Sequence, residues 1–437
     1  MAHATVRSGY SNLVERLNRF PQGAPPSDLL YRILRILFTE REASLVASLP
    51  IRPFRAETAA RAWNTTPAEA RAILESLAAK ALLIDIVHEG ETRWVLPPPM
   101  AGFFEFSMMR VRGDVDQKAL AELFYQYLNV EEDFVRDLFG RGETQLGRVF
   151  VNEEALPEDD TLEVLDWERA SHVARTASAI GVGTCYCRHK MSHLGKACGA
   201  PMEICLTFGD TAASLVRHGF ARRADAVETL ELLHEARGKG LVQFGENVRR
   251  QPAFVCNCCA CCCEALIVQR RFGFLRPVHT TGFIPAIDQA HCTGCGKCVS
   301  ACPVEAMSMV SAHDPKVPRR RTARLEETAC LGCGVCVPAC PHPEALALER
   351  REKRVIPPLD TVHRTVVMAI ERGQLAELLC DDRTLASHRI LGSVLGAVLR
   401  LPPVKLALAR EQVKSRYLEA LVERCESRKN TTGPASN

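Results

Sequence analysis

At 437 residues the chain is too long for one ordinary hydrophobic core, and two to four domains are expected. With 47% hydrophobic and 24% charged residues and a net charge of +3, it has the balance of a soluble globular protein, and nothing in its charge demands nucleic acid or a membrane. Charges interrupt the leucines of the opening segment, so no secretory signal is read there. The longest apolar run, 390–399, stops at Arg400, short of the ~20 residues a membrane span requires. A cytoplasmic protein without a transmembrane segment is expected. The first readable elements lie in 28–96, where Leu29, Ile33 and Leu37 recur at helical spacing, a second short helix follows and a third begins near Glu57. Thr66-Pro67-Ala68-Glu69 combines an N-cap threonine, a proline at the first helical position and a glutamate three residues after the cap, which predicts a helix over 67–80. Two strand-like runs, 83–87 and 92–96, flank His88-Glu89-Gly90-Glu91, a hairpin turn.

Helices followed by a hairpin resemble a winged helix, so 28–99 is expected to be a winged-helix-like domain, closed by Pro97-Pro98-Pro99 because proline neither donates to a sheet nor continues a helix. A helical connector is expected over 100–170. It begins with Phe103, Phe104, Phe106, Met108 and Met109, which read as core between domains. It continues with Leu120, Leu123, Phe124, Tyr127 and Leu128 at helical spacing, and an acidic surface loop follows over 153–160.

Twenty cysteines crowd into a few tight clusters, which in a long chain reads as metal binding in a reducing compartment rather than as a disulfide scaffold. The run Cys292-x2-Cys295-x2-Cys298-x3-Cys302-Pro303 recurs as Cys330-x2-Cys333-x2-Cys336-x3-Cys340-Pro341. Three thiolates two residues apart wrap the chain around one cubane, and Gly294, Gly296, Gly332 and Gly334 let the backbone approach it. Residues 285–350 therefore resemble a bacterial-type ferredoxin domain with two [4Fe–4S] clusters. The resemblance implies crossed ligation: Cys292, Cys295, Cys298 and Cys340 at one cluster, and Cys330, Cys333, Cys336 and Cys302 at the other. Paired zinc sites are the alternative, disfavoured by the third cysteine and the trailing Cys-Pro of each run. Between the motifs lies a basic loop, 316–324, with Arg319, Arg320, Arg321 and Arg324, which could be solvated or could dock an acidic partner.

Upstream, 171–284 reads as a helical, cysteine-rich metal-binding domain. It holds Cys185, Cys187, Cys198 and Cys205, then Cys256, Cys258, Cys259, Cys261, Cys262 and Cys263 within eight residues. Ten thiols exceed what two cubanes consume, and adjacent cysteines on an extended backbone point apart, so some are expected outside any first ligand set. Two readings stand: one or two further iron–sulfur clusters, or zinc sites that use cysteine with His189 or His193, which otherwise are surface residues on one helix face. The block resembles cysteine-rich modules fused to ferredoxin domains in uncharacterised bacterial iron–sulfur proteins, a likeness that implies no reaction. Cys380 and Cys425 read as ordinary helix residues.

A helical C-terminal region, 351–437, completes a multidomain α+β chain. Within it Leu391, Val394, Leu395, Val398 and Leu399 form one apolar helix face. The expected function is iron–sulfur electron transfer, as a relay subunit of a cytoplasmic oxidoreductase with redox protein partners on both sides. The alternatives are a redox-sensing transcription regulator and a reductase with a catalytic cluster in the cysteine-rich block. No dinucleotide fingerprint is present. DNA is the weaker candidate partner, since Arg71 and Lys80 are balanced by Glu69 and Glu75 on the helix that would meet phosphates.

Overall fold

The computed structural model describes residues 8–156, 164–272, 277–313, 317, 319–382, 391 and 395. It begins with helices α1 (Gly9–Leu17), α2 (Asp28–Leu37), α3 (Glu40–Ala47), α4 (Ala56–Trp63) and α5 (Pro67–Ala79), then strands β1 (Ile84–His88) and β2 (Glu91–Val95). Asn64 adopts a left-handed conformation that ends α4. Two residues later Thr66 caps α5: its hydroxyl accepts from the Glu69 amide at 3.3 Å, and the Glu69 carboxylate accepts from the Thr66 amide at 3.1 Å. The hairpin turns at Glu89 and Gly90, both with positive φ, as a two-residue turn matched to strand twist requires. Phe54 exchanges backbone hydrogen bonds of 2.9 and 2.8 Å with Trp94, adding a short third edge to the hairpin.

Next come α6 (Phe104–Phe106), α7 (Gln117–Tyr125), a π-helical turn at Gln126–Val130, and α8 (Asp133–Gly140). Phe103, Phe104, Phe106, Met108 and Met109 are all buried, as their position between two blocks predicts. The largest apolar cluster runs from Leu13, Leu34, Leu74 and Trp94 through Phe104 and Phe124 to Tyr186 and Val268, so the N-terminal helices share one core with the cysteine-bearing helices described next.

That region differs from the helical reading. Its frame is a seven-stranded sheet formed by β3 (Gly147–Val149), β4 (Ile180–Thr184), β5 (Glu203–Phe208), β6 (Arg222–Ala224), β7 (Val242–Glu246), β8 (Phe254–Cys258) and β9 (Val278–His279). Spatial order is β6-β4-β5-β8-β7-β3-β9, antiparallel except for the β3–β9 pair. Strand β3 comes from the segment expected to be a helical connector. The strands are short and several carry glycine or cysteine, so they lack the long apolar alternation by which strands are read. Helices α9 (Ala170–Thr176), α10 (Tyr186–His193), α11 (Gly209–Arg217), α12 (Ala226–Gly238) and α13 (Glu264–Arg271) connect them.

The ferredoxin-like part pairs β10 (Phe283–Ile287) with the late strand Leu346–Arg350. A second antiparallel pair joins β11 (Met307–Ser311) to β12 (Arg321–Leu325). Each cysteine run ends in a short helix, α14 (Lys297–Ala301) or α15 (Cys336–Ala339), and the late strand is β13. Helices α16 (Thr361–Glu371) and α17 (Leu375–Leu379) follow, and Arg364 of α16 reaches Glu246 of β7 at 3.0 Å. The apolar face expected in the tail lies outside the described residues apart from Leu391 and Leu395, and Cys425 lies outside them too. No helix among the described residues is long and apolar enough to cross a membrane.

The hairpin is tied to the sheet region through Asp85. This buried carboxylate meets the Ser214 hydroxyl and the Arg217 guanidinium on α11, and His218 Nε2 lies 3.2 Å from it. Burial alone would raise its pKa, but the contacts with His218, Ser214 and Arg217 outweigh it and hold the carboxyl below its ordinary range. Its stabilisation is complete above the unfolded value of about 3.9 and is lost only as the pH falls through the lower folded value. At neutral pH Asp85→Asn should therefore loosen the hairpin. Amide exchange over 84–95 is expected to rise by about tenfold, equivalent to ~1.4 kcal/mol, while the amides of β10 and β13 keep their protection.

Candidate metal centres

The ten upstream cysteines arrive on strands, helix caps and turns. Cys256 and Cys258 lie on β8, and strand alternation puts both on one face while Asn257 points to the other and donates to Ile204 O at 2.9 Å. One step beyond the Leu206–Val255 pair, Cys205 of β5 faces Cys256, with the sulfurs 3.9 Å apart. Cys185 caps the N-terminus of α10, whose first turn holds Cys187, and Cys263 caps α13. Helix N-termini carry unsatisfied N–H groups that favour thiolates. Cys263 accepts from the amides of Ala265 and Leu266, and Cys185 from that of Arg188.

Sulfur contacts divide these ten into two groups. In the first, Cys256 is hydrogen-bonded to Cys205 and Cys258, and Cys263 to Cys187 and Cys258. These bonds hold Cys256 and Cys263 well below the ordinary thiol range and push Cys187, Cys205 and Cys258 well above it. Cys185, pushed up to about 12 by burial, lies beside Cys205 and Cys256 and completes a six-thiol nest. The second group is Cys198, Cys259, Cys261 and Cys262, whose four sulfurs all lie within 4.8 Å of one another. Adjacent Cys261 and Cys262 were expected to diverge. Their sulfurs are 3.6 Å apart, because the chain leaves β8 at Cys258 and turns before α13, so extended-strand geometry no longer applies.

Between the groups lies Arg188, fully buried, which donates to Pro201 O and Asn257 O at 2.7 Å each. Among the described residues no carboxylate pairs with it. Burial works against its charge, and the sulfurs of Cys185, Cys259 and Cys258 around it more than restore it. A buried guanidinium compensated by sulfur fits a site whose cysteines are ionised, as metal ligands are. Spacing rules gave no sign of this arginine; its place one residue after Cys187, with no acidic residue nearby in sequence, was the signal.

A second buried ion pair clamps the two cysteine-capped helices. Lys190 of α10 contacts Glu264 of α13, and Asn129 bridges them, accepting from Lys190 Nζ at 3.1 Å and donating to Glu264 at 2.7 Å. On the nest's other side, burial pushes the Glu105 carboxyl up to about 8, with Cys256 near enough to add to the effect. His189 is not a surface residue. It is buried, and its Nδ1 lies 2.7 Å from Met108 O, while Nε2 lies 3.2 Å from Nε2 of His193. Neither histidine is in the compact thiol quartet.

Downstream, each ferredoxin run folds around a cavity. Cys292, Cys295, Cys298 and Cys340 line one, with Ile287, Met309 and Leu346 among its walls. Cys302, Cys330, Cys333 and Cys336 line the other, with Met307, Leu325 and Leu331. Gly294 and Gly332 hold equivalent positions at φ +71° and +70°, and a side chain there would collide with the carbonyls of Arg321 and Phe283. Glycine is thus required by conformation and by contact with the neighbouring strand. Arg320 donates to the carbonyls of Gln289, Ala290 and Cys292, bringing part of the basic loop against the first cavity; Lys316 lies outside the described residues. Cys380 is buried and distant in sequence from both sets.

Residues 291–343 match the family model of the 4Fe-4S dicluster domain. No curated protein and no solved structure matches the chain. This part of the chain is an iron–sulfur domain of the kind used in electron transfer, and the cysteine groupings upstream fit metal binding.

Lys190→Met should strand the Glu264 carboxylate in the core and cost about 3–5 kcal/mol. Adding Glu264→Met removes the stranded charge, so thermal denaturation of the double variant should occur at a higher temperature than that of the single one. Equal or lower stability of the double variant would show that the pair is not the clamp.

Proposed function

We propose that the chain is an iron–sulfur electron relay in which a two-cluster ferredoxin domain serves a further iron–sulfur centre in the six-thiol nest. The observation that carries this reading is one apolar cluster. It packs Cys258 and Cys263 of the nest together with Cys330, Leu331, Val335 and Val304 beside the second ferredoxin cavity, with Cys256, Cys302 and Cys333 against it. Side chains of the two sites belong to this one packed cluster, which supports reading them as neighbours.

Four thiols, glycines at positive φ and apolar walls fit a cubane in each ferredoxin cavity. In this reading Cys292, Cys295, Cys298 and Cys340 hold one cluster, and Cys330, Cys333, Cys336 and Cys302 the other. A bound [4Fe–4S] cluster supplies a one-electron couple. The chain's own residues do the rest. At the first cavity Cys295 is exposed, and Arg320 beside it adds positive charge where an acidic redox partner can approach. At the second, Cys330 and Cys336 are buried, and the Gly332 amide donates to the Cys330 sulfur at 3.3 Å. The nest lies beyond, with Cys185, Cys187, Cys205, Cys256, Cys258 and Cys263 as candidates for four ligand places, and Arg188 and two helix N-termini offset its negative charge. Electrons enter at the exposed site and pass inward.

The N-terminal unit has the order helix, short strand, helix, helix, hairpin of a winged helix, and we read it as a platform for protein contact. Asp85 holds the hairpin against α11, and the exposed residues of α5 include Glu69, Arg71 and Glu75, without the positive excess that a DNA backbone requires.

Two measurements test the relay. Anaerobically prepared protein should carry about twelve iron atoms and as many sulfides, about eight of them in the ferredoxin domain. Cys258→Ser with Cys263→Ser should lower the total while both ferredoxin signals persist, and Cys302→Ser should disturb the cluster of Cys330, Cys333 and Cys336. About eight irons in the unaltered protein would contradict the relay, and loss of the Cys292 cluster on Cys302→Ser would contradict the crossed ligation.

A further inference from the structure

We infer that Cys198, Cys259, Cys261 and Cys262 form a separate site for a single tetrahedral zinc ion, distinct from every iron–sulfur centre of the chain. A zinc–sulfur bond of about 2.3 Å places the four sulfurs of a tetrahedral ion about 3.8 Å apart. Here all four lie within 4.8 Å of one another, and Cys261 and Cys262 are 3.6 Å apart. A cubane interposes four irons and four sulfides between its thiolates and needs them wider. The same chain provides the comparison: among the described residues neither ferredoxin quartet draws its sulfurs together this closely, and the quartet of Cys198 does.

Chain path explains the separation. On β8, Cys256 and Cys258 face the nest, and Cys263 returns to it as the cap of α13. The turn between them swings Cys259, Cys261 and Cys262 outward to meet Cys198, which follows α10. Cys262 is buried, Cys198 and Cys259 are half-buried and Cys261 is exposed. Arg188 stands between the two groups, facing Cys185 and Cys258 on one side and Cys259 on the other.

Four thiolates close the coordination shell of zinc and leave no position for substrate, which is the pattern of a structural site. Zinc has no redox chemistry of its own. The ion ties the segment after α10 to the turn that enters α13. With four thiols at this ion and four at a cubane, two of the ten lie outside both ligand sets.

Metal analysis of the full chain, purified anaerobically from cells supplied with both iron and zinc, tests the assignment. One zinc per chain is expected, with four sulfur neighbours at about 2.3 Å in zinc-edge X-ray absorption. Cys261→Ser, at the exposed ligand, should lose that zinc with iron and sulfide unchanged, and Cys198→Ser should do the same. Zinc absent from the unaltered protein, a mononuclear iron signal in its place, or loss of iron and sulfide in either variant would overturn the assignment. The absorption spectrum of the unaltered protein decides the case even if a variant fails to fold. Because iron and sulfide are counted separately, the outcome is independent of whether the nest holds a cluster.

Discussion

Buried negative charge is the constraint on which this molecule depends. Each thiolate taken from water into the protein needs a compensating charge or donor. The chain meets that need with its backbone and one arginine. Cys185 and Cys263 occupy helix N-termini, where unpaired amides face the sulfur, and Arg188 is buried without a carboxylate because sulfur takes that place. Remote elements serve the same end. Lys190 and Glu264 hold α10 to α13, and the N-terminal helices extend their core to Tyr186 and Val268 on those same helices.

From that constraint follows an order of exposure. The first ferredoxin cavity has an exposed cysteine at its rim, whereas the cysteines of the second cavity and of the nest are all buried or half-buried. A carrier that meets many partners benefits from exposed clusters.

Legibility in the sequence followed the range over which each signal acts. The ferredoxin runs were readable because their ligands are separated by two or three residues, so spacing alone encodes geometry. The helix at Pro67 and the turn at Glu89-Gly90 were readable for the same reason, since a capping box and a two-residue turn are complete within four residues. The sheet was not. Strand β3 lies far from β7 in sequence, and β4 carries two glycines, so pairing is decided by contacts that no local pattern records. The division of the ten thiols was hidden likewise. Between Cys258 and Cys259 the backbone changes from strand to turn, and that single change sends neighbouring sulfurs to different sites. His189 misled because a histidine near cysteines suggests a ligand or a surface residue, whereas a hydrogen bond to Met108 O, distant in sequence, accounts for it.

The central claim is that the ferredoxin domain and the six-thiol nest form one electron path. Electron paramagnetic resonance of the fully reduced chain tests it most directly, because paramagnetic centres packed against one another interact. The account predicts spin–spin broadening that disappears when Cys258 and Cys263 are replaced by serine, leaving the simpler spectrum of the two ferredoxin clusters. A spectrum that is the same with and without those cysteines would contradict it.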